Sequence, residues 1–272
     1  MKYAKKRFGQ HFLQQQSIVQ RIVDLFDPRP NQHIIEIGPG RGALTKELLS
    51  RIERLEVVEI DRDMVSALNK QFLNHPGLVI HNADALKFDF SRLKTNGQRL
   101  KLIGNLPYNI STPLLFHLIS FGYIISDMLF MLQKEVVDRL VAEVGTKQYG
   151  RLSVMVAWRC RVKREFNIKP GAFVPPPKVG SSIVHLQPHE EPLVEVGDPI
   201  QFEKIVRIAF GKRRKTLRNA LKEVVAEEDF EAAGINPQLR PEQLSIDQFG
   251  RLSISSYKAA QNVDRIGHQH CR

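Results

Sequence analysis

Apolar positions along this chain follow two rhythms that alternate for most of its length. Short apolar runs at His33–Ile37, Leu55–Ile60, Leu78–His81, Leu100–Ile103 and Met128–Leu132 read as strands. Between them, segments with apolar residues three and four apart predict helices at 17–26, 43–52, 62–72 and 113–121, with Ser17 capping the first and Ser111 or Thr112 the last. Strands separated by helices predict a parallel sheet wrapped on both faces, an α/β fold. Two further helices are expected at 134–144 and 151–158. Strands at 161–168 and 182–187 then follow with no crossover helix between them, so they should pair antiparallel at one edge. The segment 188–199 holds three prolines and four carboxylates and reads as a linker. After it only helical spacing remains, in 202–210, 217–225 and shorter pieces up to 254–263. The expected division is therefore a larger α/β domain over 1–188 and a small all-helical domain over 189–272.

The stretch 114–132 is apolar enough to suggest a membrane span. Phe121-Gly122 breaks it and His117 and Asp127 interrupt it, so it reads as a helix followed by a buried strand. The segment from Met1 to Gln16 is basic and polar, carries no apolar core and does not form a secretory signal. Cys160 and Cys271 offer neither a disulfide framework nor metal-ligand spacing, which fits a reducing cytoplasm and no metal.

Charge changes the picture more than composition does. The chain has 272 residues and a net charge of +11. Of its 40 Lys/Arg and 29 Asp/Glu, 13 of each lie in 189–272, so the whole excess belongs to 1–188. Even the neutral tail is polarised, with eight cations from Lys204 to Lys222 and five acids from Glu223 to Glu231. Such an excess points to a polyanion, most often nucleic acid. The arm Lys5-Lys6-Arg7-Phe8-Gly9-Gln10-His11-Phe12-Leu13 runs a basic cluster into aromatics that should dock rather than stay in water.

Two loops carry candidate chemistry. Glu36-Ile37-Gly38-Pro39-Gly40-Arg41-Gly42 joins a strand to a helix, and its glycines let backbone approach a ligand. Glu59 stands at the end of the next strand, where a carboxylate can bond a ribose diol. A nucleotide of the NAD type and S-adenosylmethionine both fit that pattern. The Gly38-Gly40-Gly42 spacing departs from the dinucleotide fingerprint, Glu36 suits a cationic sulfonium better than a pyrophosphate, and Asp84 at the third strand end can accept from an adenine amine. These favour S-adenosylmethionine, although Asp84 could also cap a turn and Glu36 could pair with Arg41. The second loop is Gly104-Asn105-Leu106-Pro107-Tyr108, at the end of another strand. It supplies an amide, a stiffening proline and a flat ring, but Asn and Pro are also ordinary turn residues.

Together Arg7-Phe8-Gly9-Gln10, Glu36 to Gly42, Glu59-Ile60-Asp61, Asn105 to Tyr108 and Phe173 to Val179 resemble the rRNA adenine N6,N6-dimethyltransferase family, and closely its bacterial small-subunit member. The resemblance spans essentially the whole chain. It implies a Rossmann-like S-adenosylmethionine-dependent methyltransferase sheet and a helical C-terminal domain that binds the RNA substrate. It also implies transfer of four methyl groups to two adjacent adenosines of the 3′-terminal hairpin of 16S rRNA in an immature small ribosomal subunit. His11, Leu13, Glu36, Gly38, Gly40, Glu59, Ile60, Asp84, Ala85 and Asn105 are then the cofactor contacts. Position 11 departs from the Asn that many relatives carry, though a His still donates a hydrogen bond. Asn105 and the Leu106 carbonyl would aim the adenine amine, Pro107 would stiffen the loop, and Tyr108 would stack on the flipped base. Phe173 would either cover the other face of the base or pack beneath its proline loop. Lys5, Lys6, Arg7, Arg213, Arg214, Lys215 and Arg218 are candidate RNA contacts. A monomeric enzyme of ribosome biogenesis is expected, with a large-subunit rRNA methyltransferase or a non-catalytic assembly factor as the alternatives.

Overall fold

The structure is a computed structural model that describes residues 11–73, 75–93 and 97–269, with side chains described to Tyr257. The arm residues Lys5 to Gln10, and with them the expected docking of Phe8, lie outside the described residues.

The chain divides into two compact units. One runs up to Val137 and resumes over Arg161–Glu190; the other combines Asp138–Cys160 with the chain from Glu191 onward. The cut expected at 188/189 therefore needs correcting, because 138–160 also belongs with the helical unit. The helix Arg151–Arg159 explains this. Its buried Trp158 meets Phe202 at 4.9 Å between ring centroids and donates its indole N–H to the Val194 carbonyl at 3.1 Å.

The first unit holds the sheet. Its elements are β1 (Phe12–Leu13), α1 (Gln16–Phe26), β2 (His33–Ile37), α2 (Ala43–Leu49), β3 (Leu55–Glu59), α3 (Arg62–Gln71), β4 (Leu78–Asn82), β5 (Leu100–Asn105), α4 (Ser111–Ile119), β6 (Ile125–Gln133), β7 (Cys160–Ile168), β8 (Phe173–Val174) and β9 (Ser181–Pro188). Helix α5 (Lys134–Leu140) crosses the division between units. Seven strands form one sheet in the order β4-β3-β2-β5-β6-β9-β7. The first five run parallel, and β9 joins β6 antiparallel. Every residue of β2 and β3 is buried, as expected for central parallel strands covered on both faces. The stretch 114–132 resolves into α4 and β6, and among the described residues no helix is long and apolar enough to cross a membrane.

Strand order reverses between β2 and β5: β3 and β4 are added on one side, β6 and β9 on the other. The loops leaving β2 and β5 therefore splay apart at their carboxyl ends, and ligands of open α/β sheets sit in such a crevice. Gly104 makes the closeness of these strands possible, since a Cβ there would stand 2.3 Å from the Ile37 carbonyl oxygen.

Two helix starts differ from expectation. Helix α1 begins at Gln16, and Ser17 lies inside it without capping it. Helix α4 begins at Ser111, whose hydroxyl donates to the Tyr108 carbonyl at 3.2 Å. The second unit contains α6 (Arg151–Arg159), α7 (Pro199–Gly211), α8 (Leu217–Leu221), α9 (Glu227–Ala232) and α10 (Ile246–Gln269). Asp198 caps α7 through the Ile200 and Gln201 amides, with Pro199 at the first helical position. The short helix expected at 254–263 is part of the 24-residue α10. A reciprocal box starts it early: the Ser245 amide donates to Gln248 Oε1 and the Gln248 amide to Ser245 Oγ.

Candidate active site

A cavity of about 290 Å³ opens at the crevice between β2 and β5. His11, Leu13, Glu36, Gly38, Gly40, Glu59, Ile60, Asp84, Ala85, Asn105, Leu106, Pro107 and Tyr108 all line it. Most of these distant residues converge because each occupies the C-terminal end of a strand or the turn after it; His11 and Leu13 come from the arm.

The glycine loop shapes one wall. Gly40 has φ +55°, and a Cβ there would come within 3.0 Å of the Phe12 ring. The loop therefore lies flat against the arm only because it lacks a side chain at that point. The Gly40 amide donates to Glu59 Oε2 at 3.2 Å, and the Asp61 amide donates to Glu59 Oε1 at 2.8 Å. Burial raises the Glu59 pKa; those two amides oppose the rise without cancelling it, and the Asp61 charge adds to it. Glu36 is more enclosed, at 1% exposure, and accepts the Thr45 hydroxyl at 2.6 Å. Burial pushes its pKa to about 8; the Thr45 bond opposes this and the nearby Glu59 charge adds to it. Arg41 does not serve as the partner envisaged for Glu36: its guanidinium lies 4.4 Å from the centre of the Phe12 ring. Asp84 Oδ1 accepts from the Leu86 amide at 3.0 Å, so this carboxylate does cap its turn, and it also lines the cavity.

The arm closes the other wall. Strand β1 pairs antiparallel with β8, Phe12 opposite Val174 and Leu13 opposite Phe173. His11 Nδ1 donates to the Pro175 carbonyl at 2.8 Å, and the Gln14 amide donates to the Ala172 carbonyl at 3.0 Å. The His11 carbonyl in turn accepts from Asn105 Nδ2 at 2.9 Å. Because a carbonyl can only accept, that contact fixes which end of the Asn105 amide faces the arm and leaves Oδ1 as an acceptor elsewhere. The Tyr108 hydroxyl bonds Ser181 Oγ at 2.5 Å, and its ring stacks on the His11 imidazole at 5.4 Å and 29°. Burial raises the Tyr108 pKa and the Ser181 bond lowers it.

Phe173 requires a correction. It does not line the cavity; at 2% exposure it belongs to the core cluster with Leu13, Ile22, Leu44 and Ile183. Successive residues of a strand face opposite ways, so with Val174 outward Phe173 points inward. Exposing such a phenyl ring costs about 1.5–3 kcal/mol. Of the two roles open to it, the core aromatic beneath the proline loop is the one seen.

Thr45 and Ser181 are polar partners that the sequence alone does not single out. Thr45 carries a signal, as a polar residue on the buried face of α2 between Leu44 and Leu48. Ser181 carries none, being 73 residues from Tyr108.

The donor set fits S-adenosylmethionine. Three acidic side chains, Glu36, Glu59 and Asp84, line a cavity whose only basic side chains, among the described residues, are His11 and Arg41, an arrangement that favours a ligand bearing positive charge.

In the second unit, a basic hollow is lined by Lys212, Arg213, Arg214, Lys215 and Lys222. Arg213 is engaged internally, donating to the Lys147 and Thr146 carbonyls at 2.7 and 3.2 Å, and Arg218 pairs with Glu227. Arg214 and Lys215 are exposed.

Comparison with known proteins identifies the family. A family model described as ribosomal RNA adenine dimethylase matches residues 1–258. The chain is 52% identical to ribosomal RNA small subunit methyltransferase A of Pseudomonas aeruginosa, over 92% of this chain and 93% of that one. The protein of the same name from Aromatoleum aromaticum is 51% identical, over 95% and 96%. A dimethyladenosine transferase from Plasmodium falciparum superposes with a TM-score of 0.77 at 27% identity, covering 91% of this chain and 98% of that one. The crystal structure of the 23S rRNA methyltransferase ErmE superposes at 0.69 and 24% identity, over 90% and 99%, a likeness of fold. The fold is that of an S-adenosylmethionine-dependent methyltransferase, and the chain belongs to the ribosomal RNA adenine dimethylase family.

Proposed function

We propose that this protein is an adenine N6,N6-dimethyltransferase of 16S rRNA. In this reading it places two methyl groups on each of two adjacent adenosines of the 3′-terminal hairpin. It acts in the cytoplasm, as a monomer, on an immature small ribosomal subunit. The observation that carries the proposal is the Asn105 amide, held by the His11 carbonyl so that Oδ1 remains to accept from an exocyclic amine.

S-adenosylmethionine, when bound, supplies a methyl group already activated by the sulfonium. What remains for the protein is positioning. Of the cavity-lining residues, Glu59 would hold the ribose diol, Ile60 and Ala85 would border the adenine, and Asp84 would accept from its amino group. The N6 lone pair of the target base is delocalised into the ring. Bonds from N6–H to Asn105 Oδ1 and the Leu106 carbonyl draw that nitrogen toward tetrahedral geometry. No general base is required, because the methylated amine is acidic enough to lose its proton to water. The target base has to leave its stack to reach the cavity. With Phe173 in the core and His11 against one face of Tyr108, the base stacks either on the opposite face of Tyr108 or in place of the imidazole. Arg214 and Lys215, exposed on the basic hollow and without the internal bonds that hold Arg213, would meet phosphates.

The test is transfer of labelled methyl groups to small-subunit particles from a strain lacking the enzyme, followed by mass spectrometry of the rRNA. Dimethyladenosine should appear in the 3′-terminal fragment of 16S rRNA. Label confined to 23S rRNA, or no transfer despite tight particle binding, would overturn the assignment.

A further inference from the structure

The cavity holds two buried carboxyl groups that are supported very differently. Glu59 has a backbone amide on each oxygen, Gly40 on one and Asp61 on the other. Amide donors stabilise the charged form, so Glu59 is the carboxylate that can remain ionised. Glu36 has one hydroxyl, from Thr45, and it sits deeper. The acidic groups that share the cavity with it add negative charge: Glu59 at the end of β3, whose charge acts on Glu36 directly, and Asp84 after β4. On the other side, Arg41 lies over Phe12 and His11 against Tyr108, while β5 contributes the uncharged Asn105. Two like charges in one enclosed site favour a state in which one group is ionised and the other neutral.

We propose that Glu36 distinguishes the methyl donor from the spent product by charge, giving its proton to solvent when the cationic sulfonium enters and taking one back when the neutral thioether replaces it. The inference rests on the methyl-donor reading of this cavity. It is consistent with burial holding the free carboxyl near pKa 8. A cation placed in the cavity favours the ionised form and lowers that value. The proton balance closes. Each methyl transfer releases one proton from the target amine, and Glu36 ends every cycle protonated as it began, so its own net contribution is zero. Affinity for the donor should then rise with pH by up to about tenfold per unit until the free carboxyl is itself ionised. Affinity for the product should change less over the same range. Glu36 is in this sense a specificity residue whose selectivity comes from protonation, not from shape.

Calorimetric titration at neutral pH, in buffers of different ionisation enthalpy, counts the protons released on binding. S-adenosylmethionine should release close to one proton per site, and S-adenosylhomocysteine distinctly fewer. Glu36→Gln should abolish the difference. Thr45→Val keeps the carboxyl but removes the hydroxyl that favours its charged form. It should move the pH dependence of donor affinity upward while melting at a similar temperature, and it serves if Glu36→Gln does not fold. Equal proton counts for the two ligands in the native protein would overturn the inference, as would a difference that persists in Glu36→Gln. If neither ligand binds the native protein, the methyl-donor reading itself is overturned.

Discussion

Asn105 divides its work between two atoms: Nδ2 is spent on the His11 carbonyl, and Oδ1 is what the target amine meets. Asn105→Ala should therefore reduce methyl transfer by at least about a hundredfold, as loss of a positioned transition-state contact does, with little change in melting temperature. Near-normal turnover by that variant would remove the amide from the mechanism. Glu59 offers a different readout. Glu59→Ala should weaken S-adenosylmethionine binding by at least about tenfold, since a charged hydrogen-bonding partner contributes about 1.5–3 kcal/mol; unchanged calorimetric affinity would disprove the ribose assignment. Glu36 makes a prediction about stability. Its folded pKa, about 8, lies above the ordinary 4.5, so the stability it contributes is complete below about pH 4.5 and is lost as pH rises through 8. Glu36→Gln should thus raise the melting temperature by roughly a few degrees at pH 8, and by much less at pH 5. A larger gain at pH 5 than at pH 8 would contradict this sign.

At the scale of elements, the close approach of β2 and β5 hangs on Gly104. Gly104→Ala puts a methyl group 2.3 Å from the Ile37 carbonyl oxygen and should cost about 1–3 kcal/mol in denaturant unfolding. Chemical denaturation indistinguishable from that of the native protein would show that the strands can part. These elements also show what a sequence can reveal. The parallel strands are legible because β2 and β3 are buried on both faces, so Ile34, Ile35 and Ile37 dominate β2 and Leu55, Val57 and Val58 dominate β3, even though Glu36, Glu56 and Glu59 interrupt them. The acids at 36, 59 and 84 are legible because strand ends in such sheets converge. Harder to see is the fate of Phe173, which depends on pairing with Leu13 at the far end of the first unit's sequence. The same holds for the Tyr108–Ser181 bond. In α10 only the later part is legible, because Gly250, a poor helix former, interrupts its first turns, and the Ser245–Gln248 box that starts it sits ahead of that glycine. For α1 and α4 the serines at 17 and 111 suggest caps, but both hydroxyls lie inside their helices.

For the whole molecule, a net charge of +11 makes RNA attachment an ionic-strength effect. Binding to small-subunit particles should weaken steeply between about 50 and 200 mM salt. Arg214→Glu with Lys215→Glu should weaken it further and flatten the salt dependence while leaving S-adenosylmethionine affinity unchanged. An unaltered salt slope in that double variant would clear the basic hollow of any part in holding RNA. The pairing of β1 with β8 has a temporal meaning as well. Asn105 is held by His11, and His11 is held by the carbonyl of Pro175. During synthesis on a ribosome, the aiming amide emerges long before the segment that secures it. A nascent chain that stops short of Pro175 therefore has its glycine loop and acids but no anchored arm, so competence for the reaction is acquired late, when the first unit is nearly complete.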